Sequence, residues 1–267
     1  MAEWEYQLAT KQQSLAYRDL YPTNRKTIML LHGLGVDSHC WIFQESALGE
    51  AGYRPIVPDL PGFGASTTII RSWSIEECAR ILYKFTTEII QTPIVLVGIS
   101  LGGAIALRML ANSPERYSKA VLINTFSKIR PDKMSNALFL LARVLRVIFL
   151  SIDEQANFMA KRLFPSDVDA PFRKMIVEQI KNTNPDVYKR SLLKIGILNL
   201  DKHLKDIASP CLMITGAEDS TILPVSQIAL ANKINNCQQI IVEGAGHAVI
   251  VQKPDLVTQS ILNFLKS

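Results

Sequence analysis

From Ile28 onward, short apolar runs alternate with segments whose apolar residues recur at helical spacing. Ile28–Leu31, Arg54–Val57, Ile94–Val97, Ala120–Ile123, Cys211–Ile214 and Gln239–Val242 lack clean polar alternation. That is the pattern of strands buried on both faces of a parallel sheet. Ser74-Ile-Glu-Glu77 predicts a reciprocal capping box, and Ile75, Ala79, Leu82, Ile89 and Ile90 predict the helix that it opens. Gly102–Ala111 predicts the next helix, halted near Pro114. Pro224 opens another to about Ile234, and Pro254 opens the last over Leu256–Leu265. Ahead of these, Trp4–Leu8 and Leu15–Leu20 predict the arms of an antiparallel hairpin. The alternation predicts an α/β fold with a mostly parallel, doubly wound sheet.

Between Ser127 and Asp206 the strand pattern stops and helical segments dominate. A stretch this long is not a loop. It predicts a helical cap, residues 127–206, inserted over one edge of a core formed by residues 1–126 and 207–267. Within it, a helix over Met134–Asp153 places Asn136, Arg143, Arg146 and Asp153 on one narrow polar stripe and leaves the rest apolar. Such a helix is buried on most sides or meets something oily. Two expectations follow. Either it packs between cap and core, or it is a lid whose Leu138–Ile152 stretch lines an apolar acyl pocket and makes peripheral membrane contact.

Composition narrows the function classes. The 267 residues are 48% apolar with 13 Gly and 13 Pro, which excludes a disordered or collagen-like chain. The net charge of +5 is unevenly placed: residues 127–206 carry 15 Lys/Arg against 9 Asp/Glu, and the remainder carries 14 against 15. Those basic residues are dispersed with no run of five or more, and Tyr188 is the only Tyr or Trp among them. Neither a stacking platform nor a basic stripe is present, so no nucleic-acid partner is expected. Cys40, Cys78, Cys211 and Cys237 fall in no metal-ligand spacing, so reduced thiols and no metal are expected. Met1–Lys11 has no apolar signal-peptide core, and Ala137–Ile152 is too short to span a bilayer. The expectation is a cytoplasmic protein, with membrane association confined to the cap.

Gly98-Ile-Ser100-Leu-Gly102 directly follows one predicted strand and opens a predicted helix, the context of a nucleophile elbow. A serine hydroxyl needs a base. Of the four histidines, His247 lies in Gly244-Ala-Gly246-His247, just after the last strand. His32 ends the first central strand and is expected to brace its loop, while His39 and His203 are expected to be structural or exposed. Asp219, in Gly216-Ala-Glu-Asp219 after the Cys211–Ile214 strand, is the acid expected to orient His247. Donors to an anionic intermediate are expected from two backbone N–H groups. Leu101 offers one at the helix start, and Leu34 the other in His32-Gly33-Leu34-Gly35. Leu34 and Leu101 are also the expected substrate-binding residues, together with the Leu138–Ile152 part of the cap.

These motifs, with Trp41 and Asp59-Leu-Pro-Gly-Phe-Gly-Ala-Ser66, resemble those of the α/β-hydrolase family. The similarity is to its capped serine hydrolase branch, which includes esterases, lipases, C–C bond hydrolases and cofactor-free haloperoxidases. It runs from about Ile28 to the C-terminus and is weakest across the cap. It implies chemistry without a cofactor, and a supporting role for Asp59 and the Pro61–Ser66 loop beside the site. Members with Asp at the elbow, the haloalkane dehalogenases and epoxide hydrolases, differ from this chain at Ser100. Ile99 matches neither the Asn frequent in C–C hydrolases nor the His frequent in esterases. The sequence therefore points to a serine hydrolase of carboxylic esters, either hydrophobic acyl esters or small-molecule esters, acting as a monomer or weak homodimer. C–C hydrolysis, lyase chemistry or perhydrolysis on the same three residues remains open, as does a hydrolase-derived ligand receptor.

Overall fold

The computed structural model describes residues 3–7 (backbone only), 14–67, 73–90, 93–129, 145, 149–165 and 170–267. Strands β1 (Glu3–Gln7) and β2 (Ser14–Arg18) form the antiparallel hairpin, with Glu3 opposite Arg18. β2 pairs antiparallel with β4 (Tyr53–Pro58). From β4 the sheet is parallel through β3 (Lys26–Leu31), β5 (Ile94–Ile99), β6 (Tyr117–Ile123), β7 (Cys211–Gly216) and β8 (Cys237–Val242). The spatial order is β1-β2-β4-β3-β5-β6-β7-β8. Successive residues of one strand feed opposite cores, which is why the sequence shows no polar alternation. Met29 and Leu31 pack toward α2 (Ile75–Ile89) and α3 (Leu101–Asn112), whereas Ile28 and Leu30 pack toward α1 (Ile42–Glu50) and α8 (Pro254–Lys266).

Three local expectations are corrected. β8 is a half-exposed edge strand, not a buried one: with only β7 beside it, Gln238, Gln239 and Ile241 face solvent. Ser74 accepts from Glu77 N–H at 3.1 Å, but the return bond of the capping box is not made. The Glu77 carboxylate instead holds Arg80 on the next turn, at 2.8 Å from Nε. A reciprocal box does form at Ser151–Glu154, where it starts α4 (Ile152–Leu163). Asp153 therefore belongs to α4, and the stripe running from Asn136 to Asp153 is not one helix. The rest of the predicted Met134–Asp153 helix lies mostly outside the described residues; Leu145 and Phe149 within it are exposed.

β6 and β7 are neighbours, and the chain between them carries α4, α5 (Ala170–Asn182) and α6 (Pro185–Ile197). Ala156, Ala160, Phe164, Ile176, Ile180 and Tyr188 give these helices a core of their own. That core rests on Leu34, Val36 and Ala248 in loops at the carboxyl ends of the strands. No helix among the described residues is long and apolar enough to cross a membrane.

Where the inserted segment leaves and rejoins the sheet, one carboxylate ties its ends. Asp201 accepts from Ser127 Oγ at 2.6 Å and pairs with Lys128 and Lys233 at 2.8 Å each, beside a Lys128–Asn199 bridge. Burial pushes its pKa up, but the bonds from Lys128, Lys233 and Ser127 outweigh this and hold it below the ordinary 3.8. A depressed carboxyl stabilises the fold above its unfolded pKa and loses that contribution as the pH falls below it. Asp201→Ala is expected to lower stability by about 1–3 kcal/mol at neutral pH. The gap between variant and wild type should start to narrow in urea titrations as the pH falls below ~4 and shrink further toward the depressed pKa of the folded state.

Candidate active site

β5 ends at Ile99 and α3 begins at Leu101, so Ser100 alone makes the turn, at φ 53° and ψ −117°. A non-glycine residue in this region costs roughly 1–3 kcal/mol and must be held by its surroundings. Ser100 N–H donates to Ile123 O at 2.9 Å, and Ser100 O accepts from Thr125 Oγ1 at 2.7 Å. The glycines remove the remaining obstacles. A Cβ on Gly98 would lie 2.5 Å from the Gly102 carbonyl, and one on Gly102 would lie 2.2 Å from Leu31 O.

Asp219 is fully buried and accepts four hydrogen bonds. Oδ1 takes Thr221 N–H at 2.8 Å and Ile222 N–H at 2.9 Å; Oδ2 takes Gln227 Nε2 at 3.0 Å and His247 Nδ1 at 2.7 Å. A carboxylate in this role can only accept, so Nδ1 carries the imidazole proton and Nε2 is the acceptor nitrogen of the neutral ring. Ser100 and His247 line one cavity of about 100 Å³. Leu34 lines it too, and a Cβ on Gly33 would sit 3.6 Å from Ser100 Cβ, so the Gly33–Leu34 turn lies against the serine. Neither Leu34 N–H nor Leu101 N–H meets an acceptor among the described residues. The Leu101 side chain is buried in the core under α3, which leaves only its backbone for a substrate.

His32 is buried and holds the neighbouring loops. Leu60 N–H donates to Nε2 at 2.8 Å, so Nδ1 is the protonated nitrogen that donates to Gly33 O at 2.7 Å. Burial lowers its pKa, against the pull of Asp59, in keeping with a neutral ring. Asp59 accepts Ser38 N–H and Ala65 N–H, each at 2.7 Å, which ties the Pro61–Ser66 loop to the start of the Ser38–Trp41 turn. His39 is half-buried beside Asp37, and His203 lies 3.7 Å from Asp206.

Two supports escape sequence reasoning. Asn124, at φ 43°, donates to both Gly246 O and His247 O at 2.9 Å and accepts Gly216 N–H at 2.8 Å. One amide thus joins the end of β6 to the end of β7 and to the histidine loop. Gln227, buried on α7 (Pro224–Ala231), donates to Asp219 and accepts Thr215 Oγ1. The faint signal for each is a polar side chain where the surrounding pattern is apolar. The cap lines the cavity with Met159, Leu163, Phe164, Met175, Ile176 and Ile195 from α4 to α6 and the turn between. Of the expected Leu138–Ile152 lining, most lies outside the described residues.

The family model for the alpha/beta hydrolase fold matches residues 26–254. The chain belongs to the α/β-hydrolase fold family. A non-heme chloroperoxidase of Synechocystis is 30% identical over 90% of this chain and 91% of its own. A carbamate hydrolase, RutD, of Caulobacter is 25% identical over 91% of each chain. The crystal structure of a bromoperoxidase from Bacillus anthracis superimposes with a TM-score of 0.90, covering all of both chains at 21% identity, a likeness of fold. In this α/β-hydrolase Ser100 and Asn124 are the non-glycine residues at positive φ among the described residues. Asn124→Ala loses three hydrogen bonds at a left-handed backbone and is expected to cost about 2–4 kcal/mol in urea unfolding. Gly102→Ala, which drives a Cβ into the β3 backbone, is expected to yield no folded protein by circular dichroism.

Proposed function

We propose that this α/β-hydrolase cleaves small, uncharged carboxylic esters through Ser100, His247 and Asp219. The observation that carries the reading is the turn at Ser100, held at positive φ in the same cavity as an imidazole whose Nδ1 is bound by a buried carboxylate. His247 Nε2 takes the hydroxyl proton as Ser100 Oγ attacks the acyl carbon, and the Leu34 and Leu101 N–H groups receive the negative charge on the carbonyl oxygen. The intermediate collapses to an acyl-serine as His247 returns the proton to the departing alcohol. Water then repeats the sequence and frees the acid. Asp219 fixes the tautomer and stabilises the imidazolium.

The lining supports the substrate class. Apart from Ser100, His247, Thr221 and Cys40, the described residues around the cavity are Gly or apolar, and none is charged. An acyl part bearing a carboxylate would meet no cation there. The volume of about 100 Å³ is well under the roughly 300–1,000 Å³ of sites for drug-sized ligands, which favours short acyl groups. The Synechocystis relative supports a second reading on the same acyl-serine. Hydrogen peroxide in place of water would attack the acyl carbon, giving a peroxy acid and free Ser100.

Ser100→Ala is expected to reduce hydrolysis of p-nitrophenyl acetate by roughly 10⁴-fold or more, and Asp219→Asn by a similar factor. Turnover by Ser100→Ala near the wild-type rate would refute the assignment. Across acetate, butyrate and decanoate esters, kcat/KM is expected to fall at the longest chain, and a rise there would contradict the short-acyl cavity. A peroxy acid product with added peroxide, absent in Ser100→Ala, is the result expected of the second reading.

A further inference from the structure

The net positive charge of residues 127–206 has no part in the chemistry at Ser100. Several of its cations have partners: Lys128 pairs with Asp201, Lys181 with Asp153, and Arg162 donates to Ser220 O. Lys194 and Lys202 have no hydrogen bond or ion pair among the described residues. Both line a cavity of about 350 Å³ between the end of α6, the Asp201–Asp206 turn and the helices α2 and α3. Its lining shares no residue with the cavity at Ser100.

At this second cavity the core contributes Arg108, from the middle of α3. Arg108 is half-buried, and its Nε is shut off from solvent without an acceptor. No nitrogen of its guanidinium meets a carboxylate or carbonyl among the described residues. A buried unpaired donor of this kind costs free energy unless a ligand or water meets it. Among the described lining residues Glu76 is the only acid, so there three cations face one carboxylate and the surplus is two positive charges. The Ser74 hydroxyl and the start of α2 complete the wall.

We infer that this cavity is a binding site for a phosphate group, separate from the hydrolytic centre. A phosphate monoester carries about −1.5 to −2 charges at neutral pH, which matches that surplus. The planar fork of Arg108 suits two of its oxygens, and Lys194 and Lys202 act as point charges at the rim. The cavity joins the nucleophile helix to the returning end of the inserted segment, so an occupant would bridge core and cap.

The test is titration of the full chain with inorganic phosphate and with glycerol 3-phosphate, followed by calorimetry and thermal unfolding, against chloride at matched ionic strength. Saturable binding is expected, with a rise in melting temperature that follows occupancy. Arg108→Gln is expected to weaken it roughly tenfold or more, and the exposed changes Lys194→Gln and Lys202→Gln by severalfold each. The two lysine variants should keep wild-type melting temperature without ligand and wild-type ester turnover. A second arm uses vesicles of phosphatidylglycerol and phosphatidylcholine. Co-sedimentation abolished by Lys202→Gln assigns the phosphate to a lipid headgroup, and saturable binding without co-sedimentation assigns it to a free monoester. The inference is overturned if phosphate does no more than chloride, or if Lys194→Gln and Lys202→Gln bind it as the wild type does.

Discussion

The backbone at Ser100 is the constraint around which the core is arranged. A serine at φ 53° is unfavourable by itself, and it exists here because β5, α3 and β6 leave it no other conformation. Gly102 lets α3 pass within contact of the β3 carbonyls, and Gly98 lets the helix start fold back over β5. The main chain of Ser100 is then pinned on one side by Ile123 and Thr125 at the end of β6. Stability gained along the parallel sheet is spent on one strained turn at its carboxyl edge, which is where Ser100 joins a cavity.

The same edge has a second requirement, because three loops from distant parts of the sequence must meet. Side-chain amides solve it. Asn124 holds Gly216 and the Gly246–His247 loop, Gln227 holds Asp219, and Gln252 accepts Gly246 N–H at 2.8 Å. Amides offer a donor and an acceptor on one rigid group and add no charge, so they can join backbone and carboxylate without competing for the proton on His247. They position the histidine and the acid, while touching no part of the cavity themselves.

What the sequence made legible follows the same physics. Runs such as Ile28–Leu31 and Ile94–Val97 are legible because both faces of the sheet are covered, so burial is uniform and the apolar pattern is dense. The Gly-x-Ser-x-Gly elbow is legible because sterics at 98 and 102 admit only glycine. α1 was not legible, since its pattern is inverted: Gln44 and Glu45 are buried while Ile42 and Phe43 are exposed. Two buried positions beside Leu48 are polar because Glu45 pairs with Arg18 at 2.7 Å and Gln44 donates to Ile250 O, partners far away in sequence. Asn124 and Gln227 were hidden for the same reason, because their roles are fixed by contacts that no local periodicity encodes. The capping box at Ser74 is only half made, and the Glu77 carboxylate accepts instead from Arg80, whose side chain competes for it on the next turn.

The inserted helices carry a different lesson about local pattern and tertiary use. Their apolar residues divide between a small core of their own and the roof of the Ser100 cavity, so apolar character alone could not say which stretch lines the site. Gly35 shows how tightly the roof is seated: at φ 74°, a Cβ there would lie 2.8 Å from the Tyr188 ring and 2.9 Å from Ile180. Gln179 on α5 adds a bond of 2.9 Å to Asp37, beside the Gly33–Leu34 turn. The cap is thus braced against the very loop that presents the Leu34 N–H. Any shift of α5 or α6 must move that loop or open a gap above Gly35, which couples the roof of the Ser100 cavity to the Gly33–Leu34 turn.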